Sequence, residues 1–264
     1  MILSIANQKG GVGKTTTAVN LAASLGVAEK KVLLVDIDPQ GNGTSGFGVD
    51  RTSVAGSVYD LFQGGDPGEL SLSTAIDGVA LIPSSMALAG AEVELVNLEN
   101  REFLLKEVLN GLRSQYDFIL IDCPPSLGLL TLNALTASDG VIVPLQCEYY
   151  ALEGLSHLLG TIQRVRENLN PHLSIEGILL TMFDVRNNLS LQVAEEVRGH
   201  FEGLVFETVI PRNVRLGESP SHGMPVLLYD VRSRGAQSYL SLAKEVIHHV
   251  EKSIGQRVVG PYSG

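Results

Sequence analysis

Short, mostly apolar runs recur along the chain, and between them the apolar residues return every three or four positions. The runs at Ile2–Asn7, Lys31–Ile37, Val79–Ile82, Phe118–Ile121, Val141–Leu145, Ile175–Leu180 and Val205–Val209 read as strands. Helical spacing extends from about Thr15 to Leu25 and over Arg101–Arg113, where it falls on Phe103, Leu104, Val108 and Leu112. It returns over Leu129–Ala137, Ala151–Leu169, Leu189–Phe201 and Ala236–Ser253. A run that is apolar at successive positions has no wet face, so it belongs in a sheet covered on both sides. The alternation predicts an α/β fold: a doubly wound, mostly parallel sheet flanked by helices and joined by right-handed crossovers.

The Gly-rich stretches 41–48 and 63–68 are short enough to be loops, and no repeat or low-complexity tract divides the chain. The expectation is a single domain over residues 1–254 with 255–264 as a frayed, disordered tail.

Composition narrows this picture. Of 264 residues 44% are hydrophobic and 18% charged, with no Trp, so the core must be built from Val, Ile, Leu and Ala. Cys123 and Cys147 are too far apart for a metal-binding pair and read as small buried hydrophobes. The first residues lack the pattern of a secretory signal, and no apolar run spans a membrane, so a cytoplasmic location is expected. The net charge of −10 argues against a surface coated for nucleic acid. The charge is uneven, however. Residues 1–150 carry 8 Lys and Arg against 17 Asp and Glu, whereas 151–264 carry 11 against 12. Contact with a polyanion should therefore be local and use the second half.

The first strand runs into Gln8-Lys9-Gly10-Gly11-Val12-Gly13-Lys14-Thr15-Thr16. Glycines let successive backbone N–H groups converge on a phosphate, and a helix opening near Thr15 adds the positive end of its dipole. Lys14 supplies a point charge for the β- and γ-phosphates of a nucleotide, and the Thr15 hydroxyl suits Mg²⁺. The usual pattern, Gly-x4-Gly-Lys-[Ser/Thr], fails at its first position, which is Gln8, while Lys9 adds a second cation. Asp36 and Asp38 end the second strand in Asp-Ile-Asp-Pro-Gln and, by strand alternation, should share a face about 7 Å apart at the ligand-binding end of the sheet. Either could instead cap the following turn. Asp122 closes the run Phe118–Ile121, as the acid of a Walker B strand does.

The loop Lys-Gly-Gly-Val-Gly-Lys-Thr-Thr, with Asp-Ile-Asp-Pro-Gln and Asp122-Cys-Pro-Pro-Ser126, resembles the deviant Walker A ATPases, and within them the ParA/Soj chromosome- and plasmid-partitioning family. The resemblance runs from Ile2 to about Val250. It implies a deviant P-loop NTPase that binds ATP and Mg²⁺ and hydrolyses ATP weakly without a partner. It implies that Gln8 to Thr16 hold the phosphates, and that Lys9 reaches the nucleotide of a second subunit in an ATP-bound homodimer. It gives Asp38 the role of orienting the attacking water, and places Thr15, Asp36 and Asp122 around the metal. Pro211 and Asn213 would lie against the adenine, and the segment Gln146–Gly154 near the dimer interface, where its aromatic pair could equally be simple packing. Arg186 and Arg215 would bind double-stranded DNA without sequence preference, with Arg232 and Arg234 as further candidates for the patch; the alternative for each is a solvated surface arginine. A ParB-like protein would stimulate hydrolysis, and the ATP-bound protein would associate with the nucleoid. With no helix-turn-helix before the loop, the chain resembles the small chromosomal type. The rival is a MinD-like membrane-associated ATPase, which ends in an amphipathic anchor. Here Leu240, Ala243, Ile247, Val250 and Ile254 form a stripe better explained by core packing. An iron–sulfur carrier on the same fold would need exposed thiols.

Overall fold

A computed structural model describes residues 1–149 and 151–258. Seven strands, β1 (Ile2–Ile5), β2 (Val32–Asp36), β3 (Leu72–Ser73), β4 (Val79–Ile82), β5 (Phe118–Asp122), β6 (Gly140–Gln146) and β7 (Ser174–Thr181), form one sheet in the order β3-β4-β2-β5-β1-β6-β7. All neighbours are parallel except β3, which runs antiparallel to β4 at the edge. The helices of seven residues or more are α1 (Lys14–Val27), α2 (Leu88–Glu94), α3 (Leu104–Asn110), α4 (Leu129–Ala137), α5 (Ala151–Asn168), α6 (Asn188–His200) and α7 (Arg234–Val258).

The apolar runs follow from two cores, one on each face. In β5, Ile119 and Ile121 face a cluster capped by α3, α4, α5 and α6, while Phe118 and Leu120 face one formed with α1 and α7. Successive residues of β2 divide in the same way, Leu33 and Val35 to one side and Val32 and Leu34 to the other. This two-sided burial leaves no polar position in the strand until its end, where Asp36 and Asp122 stand as paired neighbours in register.

Three expectations need correction. Val205–Val209 is not a strand. Phe206 pairs with Ile178 of β7 (3.0 Å) and Ile210 with Leu180 (2.9 Å), but the chain bulges between them. The Glu207 and Thr208 amides leave the ladder and donate to the Glu245 carboxylate on α7, at 2.7 and 3.0 Å. In α3 the buried positions are Leu105 and Leu109, one residue along from the expected Leu104 and Val108, which are half-buried. The last helix continues to Val258, into the segment expected as a tail, of which 259–264 lie outside the described residues.

The apolar face of α7 is consumed by the core. Tyr239, Leu242, Ala243, Val246 and Val250 are buried, with Leu240 and Ile247 packed beside them. A membrane anchor needs that face uncovered. Among the described residues no helix is long and apolar enough to cross a membrane. Both cysteines are buried free thiols, so neither offers the exposed sulfur of an iron–sulfur carrier.

Candidate active site

The strand order puts β2, β5 and β1 side by side, so their C-terminal ends deliver Asp36, Asp122 and the glycine-rich loop to one place. The loop turns on Gly11 and Gly13, at φ 75° and 89°, a region that side chains rarely tolerate. Gly13 is also the N-cap of α1 and supplies no side-chain acceptor, which leaves the first-turn N–H groups for an anion. The loop is tied down from outside. Thr181 donates from Oγ1 to the Val12 carbonyl (2.8 Å) and Asn7 from Nδ2 to the Pro144 carbonyl (2.8 Å). Gln8, which breaks the usual glycine pattern, donates from Nε2 to the Gly154 carbonyl on α5 (3.2 Å). Its side chain thus tethers the loop to a helix.

Lys14 is buried, and its Nζ donates to the Lys9 carbonyl at 2.9 Å. Burial pushes its pKa down, against the opposing pull of Asp122 and Asp38. Lys9 points away from this centre. Its Nζ meets Glu148 Oε2 at 2.9 Å, with both side chains nearly half exposed.

Three buried carboxylates cluster here, of which Asp122 and Asp38 act on Lys14. Asp36 is fully buried, and its Oδ2 accepts from both the amide and the hydroxyl of Thr44 at 2.7 Å. Burial is the main reason that its pKa is pushed up to about 6. Asp122 is also fully buried, and its two oxygens make no hydrogen bond of ordinary geometry. Burial first, and then Asp36, push its pKa well above the usual carboxylate range; Thr15 and Lys14 offset only part of this. The expected strand relationship of Asp36 and Asp38 does not hold, because β2 stops at Asp36. The Asp38 amide instead turns back onto Asp36 Oδ1 (3.2 Å), and Asp38 Oδ1 accepts from the Gln40 amide (2.9 Å). Asp38 remains buried, with its carbonyl held by the Ser84 hydroxyl at 2.7 Å.

A buried carboxylate without an ordinary hydrogen bond, beside a second one, suits a hard cation with oxygen ligands. Among the described residues no three His, Cys, Asp or Glu side chains converge as ligands. A cation there would draw the rest of its shell from a hydroxyl, from phosphate oxygens and from water.

Gly43 keeps this space open. A Cβ there would lie 3.0 Å from Asp36 Oδ2 and 3.1 Å from Asp122 Oδ2. Gly43→Ala should therefore weaken Mg²⁺-dependent nucleotide affinity about tenfold and cost about 1–3 kcal/mol of stability. Titration calorimetry with and without Mg²⁺ checks this, and unchanged affinity would show that the carboxylates move freely. The raised pKa values make a second prediction, for the nucleotide-free chain. A carboxyl whose folded pKa is raised binds its proton more tightly when folded. Its penalty is absent below the unfolded value, near 4, and grows as pH rises through about 6 for Asp36 and higher for Asp122. Asp122→Asn should accordingly raise the melting temperature by about 2–4 °C at pH 8, with the gain shrinking at pH 5. A gain that is the same at both pH values would mean that the cause is not ionisation.

Beside the loop a cavity of about 240 Å³ is lined by Gly13, Thr16, Met182, Pro211, Asn213 and Tyr239, among others. Pro211 and Asn213 thus share a cavity with Gly13 and Thr16 of the loop. Asn213 Oδ1 already caps the helix at Val214–Glu218 by accepting from the Arg215 amide (2.9 Å). That leaves its amide nitrogen as the donor for a ligand.

The arginines are separated. Arg186 lines an open groove with Arg212, Arg232 and Arg234. Arg215 is outside that lining, held by Glu218 at 2.8 Å and Asp230 at 3.3 Å and packed on the Tyr229 ring. Sequence reasoning did not single out Gly43, Thr44, Glu148, Thr181 or Asp184. Gly43 and Thr44 lie in the Gly-rich stretch after Asp38 and carried that much of a signal; the others become neighbours of the site only in three dimensions.

A family model described as an AAA domain matches residues 1–175. The chain is 59% identical over 246 residues to the sporulation initiation inhibitor protein Soj of Bacillus subtilis, covering 93% of this chain and 97% of that protein. It is 58% identical to the chromosome partitioning protein ParA of Myxococcus xanthus, covering 93% and 87%. Among solved structures it resembles cobyrinic acid a,c-diamide synthase from Mycobacterium smegmatis with a bound ATP analogue and magnesium. That match has a TM-score of 0.84 and 39% identity and covers 96% of both chains.

Proposed function

The chain belongs to the Soj/ParA family of chromosome-partitioning ATPases, and from that premise we propose that it is an ATP-driven switch for DNA segregation. The observation that carries this reading is Asp122, fully buried next to Asp36, Thr15 and Lys14 at the mouth of the glycine-rich loop and without a hydrogen bond of ordinary geometry. Two carboxylates so placed are tolerable as anions only beside additional positive charge, which a Mg²⁺–nucleotide complex brings. Mg²⁺ held there by Thr15, Asp36 and Asp122 would supply charge neutralisation for the nucleotide phosphates.

In this mechanism the amides of Gly10 to Thr16 and the Lys14 ammonium hold the phosphates, while Thr15, Asp36 and Asp122 hold the metal and its waters. Pro211 and Asn213 flank the adenine. Two subunits close on their nucleotides, and Lys9 leaves Glu148 to meet the γ-phosphate of the partner. Asp38 orients a water and accepts its proton as the water oxygen bonds to the γ-phosphorus and the bond from that phosphorus to the bridging oxygen breaks; the proton then passes to the departing phosphate, giving ADP and phosphate. The ATP-bound dimer binds double-stranded DNA through Arg186 and Arg215, contacts that carry no sequence information. A ParB-like protein accelerates hydrolysis, and the dimer opens and leaves the nucleoid. The single-domain organisation over 1–254 belongs to the same proposal.

DNA affinity compared with ATP, with ADP and without nucleotide tests the switch. Binding should need ATP; equal binding in all three conditions would sink it. Arg215→Ala should weaken DNA binding about tenfold or more while leaving ATP-dependent dimerisation intact. Loss of both together would give Arg215 a structural role through Glu218 and Asp230 instead.

A further inference from the structure

The loop after β7, the bulge at Glu207–Arg212 and the first turns of α7 enclose an open cavity of about 940 Å³. Arg186, Arg212, Arg232 and Arg234 all line it. Four guanidinium groups in one groove form a surface for a polyanion, yet one of them is already engaged. Arg186 donates from Nε to Asp184 Oδ1 at 2.9 Å and from Nη2 to Asp184 Oδ2 at 2.8 Å. This two-pronged arrangement is the one in which a guanidinium meets two phosphate oxygens.

The pair is surface-placed, with the Arg186 side chain 85% exposed and that of Asp184 24% exposed. The Arg186 hydrogen bonds first, with its charge and that of Arg212 adding to them, hold the Asp184 carboxyl at about 2, so this anion is ionised throughout the neutral range. An exposed ion pair is a modest competitor, able to temper binding without forbidding it. Glu207 also lines the groove but has no comparable partner. Its side chain is 92% exposed and lies 4.0 Å from Arg198.

We propose that Asp184 occupies the Arg186 fork in place of a DNA phosphate, and that duplex DNA enters this groove by exchange, taking Arg186 from Asp184 while Arg212, Arg232 and Arg234 contact neighbouring phosphates. The inference rests on the DNA-binding reading above and adds to it a groove and an internal competitor. The exchange keeps sequence-independent binding reversible, because every dissociation event is assisted by a carboxylate two residues away.

Fluorescence anisotropy of a labelled duplex of arbitrary sequence, with the full chain, Mg²⁺ and a non-hydrolysable ATP analogue, tests it. Asp184→Asn retains an Oδ1 acceptor for the Arg186 amide, which now donates to Asp184 at 3.0 Å, so the turn is preserved. Thermal melting confirms folding. Asp184→Asn should tighten binding about fivefold and Glu207→Gln less than about twofold, although each removes one negative charge from the groove. In an Arg186→Ala background, Asp184→Asn should gain no more than Glu207→Gln does. Arg212→Ala, Arg232→Ala and Arg234→Ala should each lower the slope of log affinity against log salt by about 1. Equal gains from the two acids, a gain that survives Arg186→Ala, or weaker binding by Asp184→Asn would overturn the exchange; unchanged salt slopes would overturn the groove. A wild-type chain that binds no DNA with ATP would instead remove the reading on which the proposal rests.

Discussion

Replacing Lys14 with alanine is expected to lower ATP affinity by about 10²–10³-fold, and with it all nucleotide-dependent dimerisation. Lys14 is buried in the loop and held by the Lys9 carbonyl. A charge so placed meets a phosphate with little rearrangement, and removing one partner of a buried ionic contact costs about 3–5 kcal/mol, where each 1.4 kcal/mol is tenfold. The substitution also takes a cation from Asp122 and Asp38, so the nucleotide-free variant should be less stable than wild type. The two effects separate by pH. The stability deficit should shrink as pH falls and Asp122, whose pKa is raised well above the usual carboxylate range, takes up its proton, whereas the affinity loss should remain. Calorimetry with an ATP analogue, together with melting curves at pH 5 and pH 8, reads both. Wild-type affinity in the variant would remove Lys14 from the phosphate site.

Asp38→Ala should have the opposite phenotype, an ATP-bound dimer that stays on DNA while hydrolysis falls by about 10²–10³-fold. Its backbone is anchored independently of its carboxylate, through the Ser84 hydroxyl and the Gly41 amide, both on the Asp38 carbonyl. Only the cap on the Gln40 amide is lost, so the loop should keep its shape at a cost of about 1 kcal/mol. Phosphate release measured with DNA and partner present, alongside light scattering of the ATP-bound species, distinguishes trapping from failure to bind. Turnover at the wild-type rate would show that the water is oriented by another group.

The phosphate loop, Asp36 and Asp122 were legible because each lies within or directly after an apolar run, where local pattern fixes its position at a strand end. Asp38 was legible as a residue but not in its geometry: strand alternation stopped one residue early, and an amide-to-carboxylate turn replaced it. The strand expected at Val205–Val209 shows the same limit from the other side. Its β-branched and aromatic residues favour a strand, but Glu245, distant in sequence, captures two of its amides.

By itself the sequence determined the doubly wound sheet and the chemistry at its carboxyl edge. Two-sided burial writes itself as continuous apolar runs, and glycine, lysine and aspartate at strand ends admit few other uses. Only the tertiary structure decided which charges meet. Lys9 rests on Glu148, Arg186 on Asp184 within a groove shared with Arg212, Arg232 and Arg234, and Arg215 on Glu218 and Asp230, while Asp122 makes no hydrogen bond of ordinary geometry. Such pairings depend on separations of a few ångströms between side chains on different loops. Strand periodicity carries no record of those distances, because it encodes only which way each side chain faces.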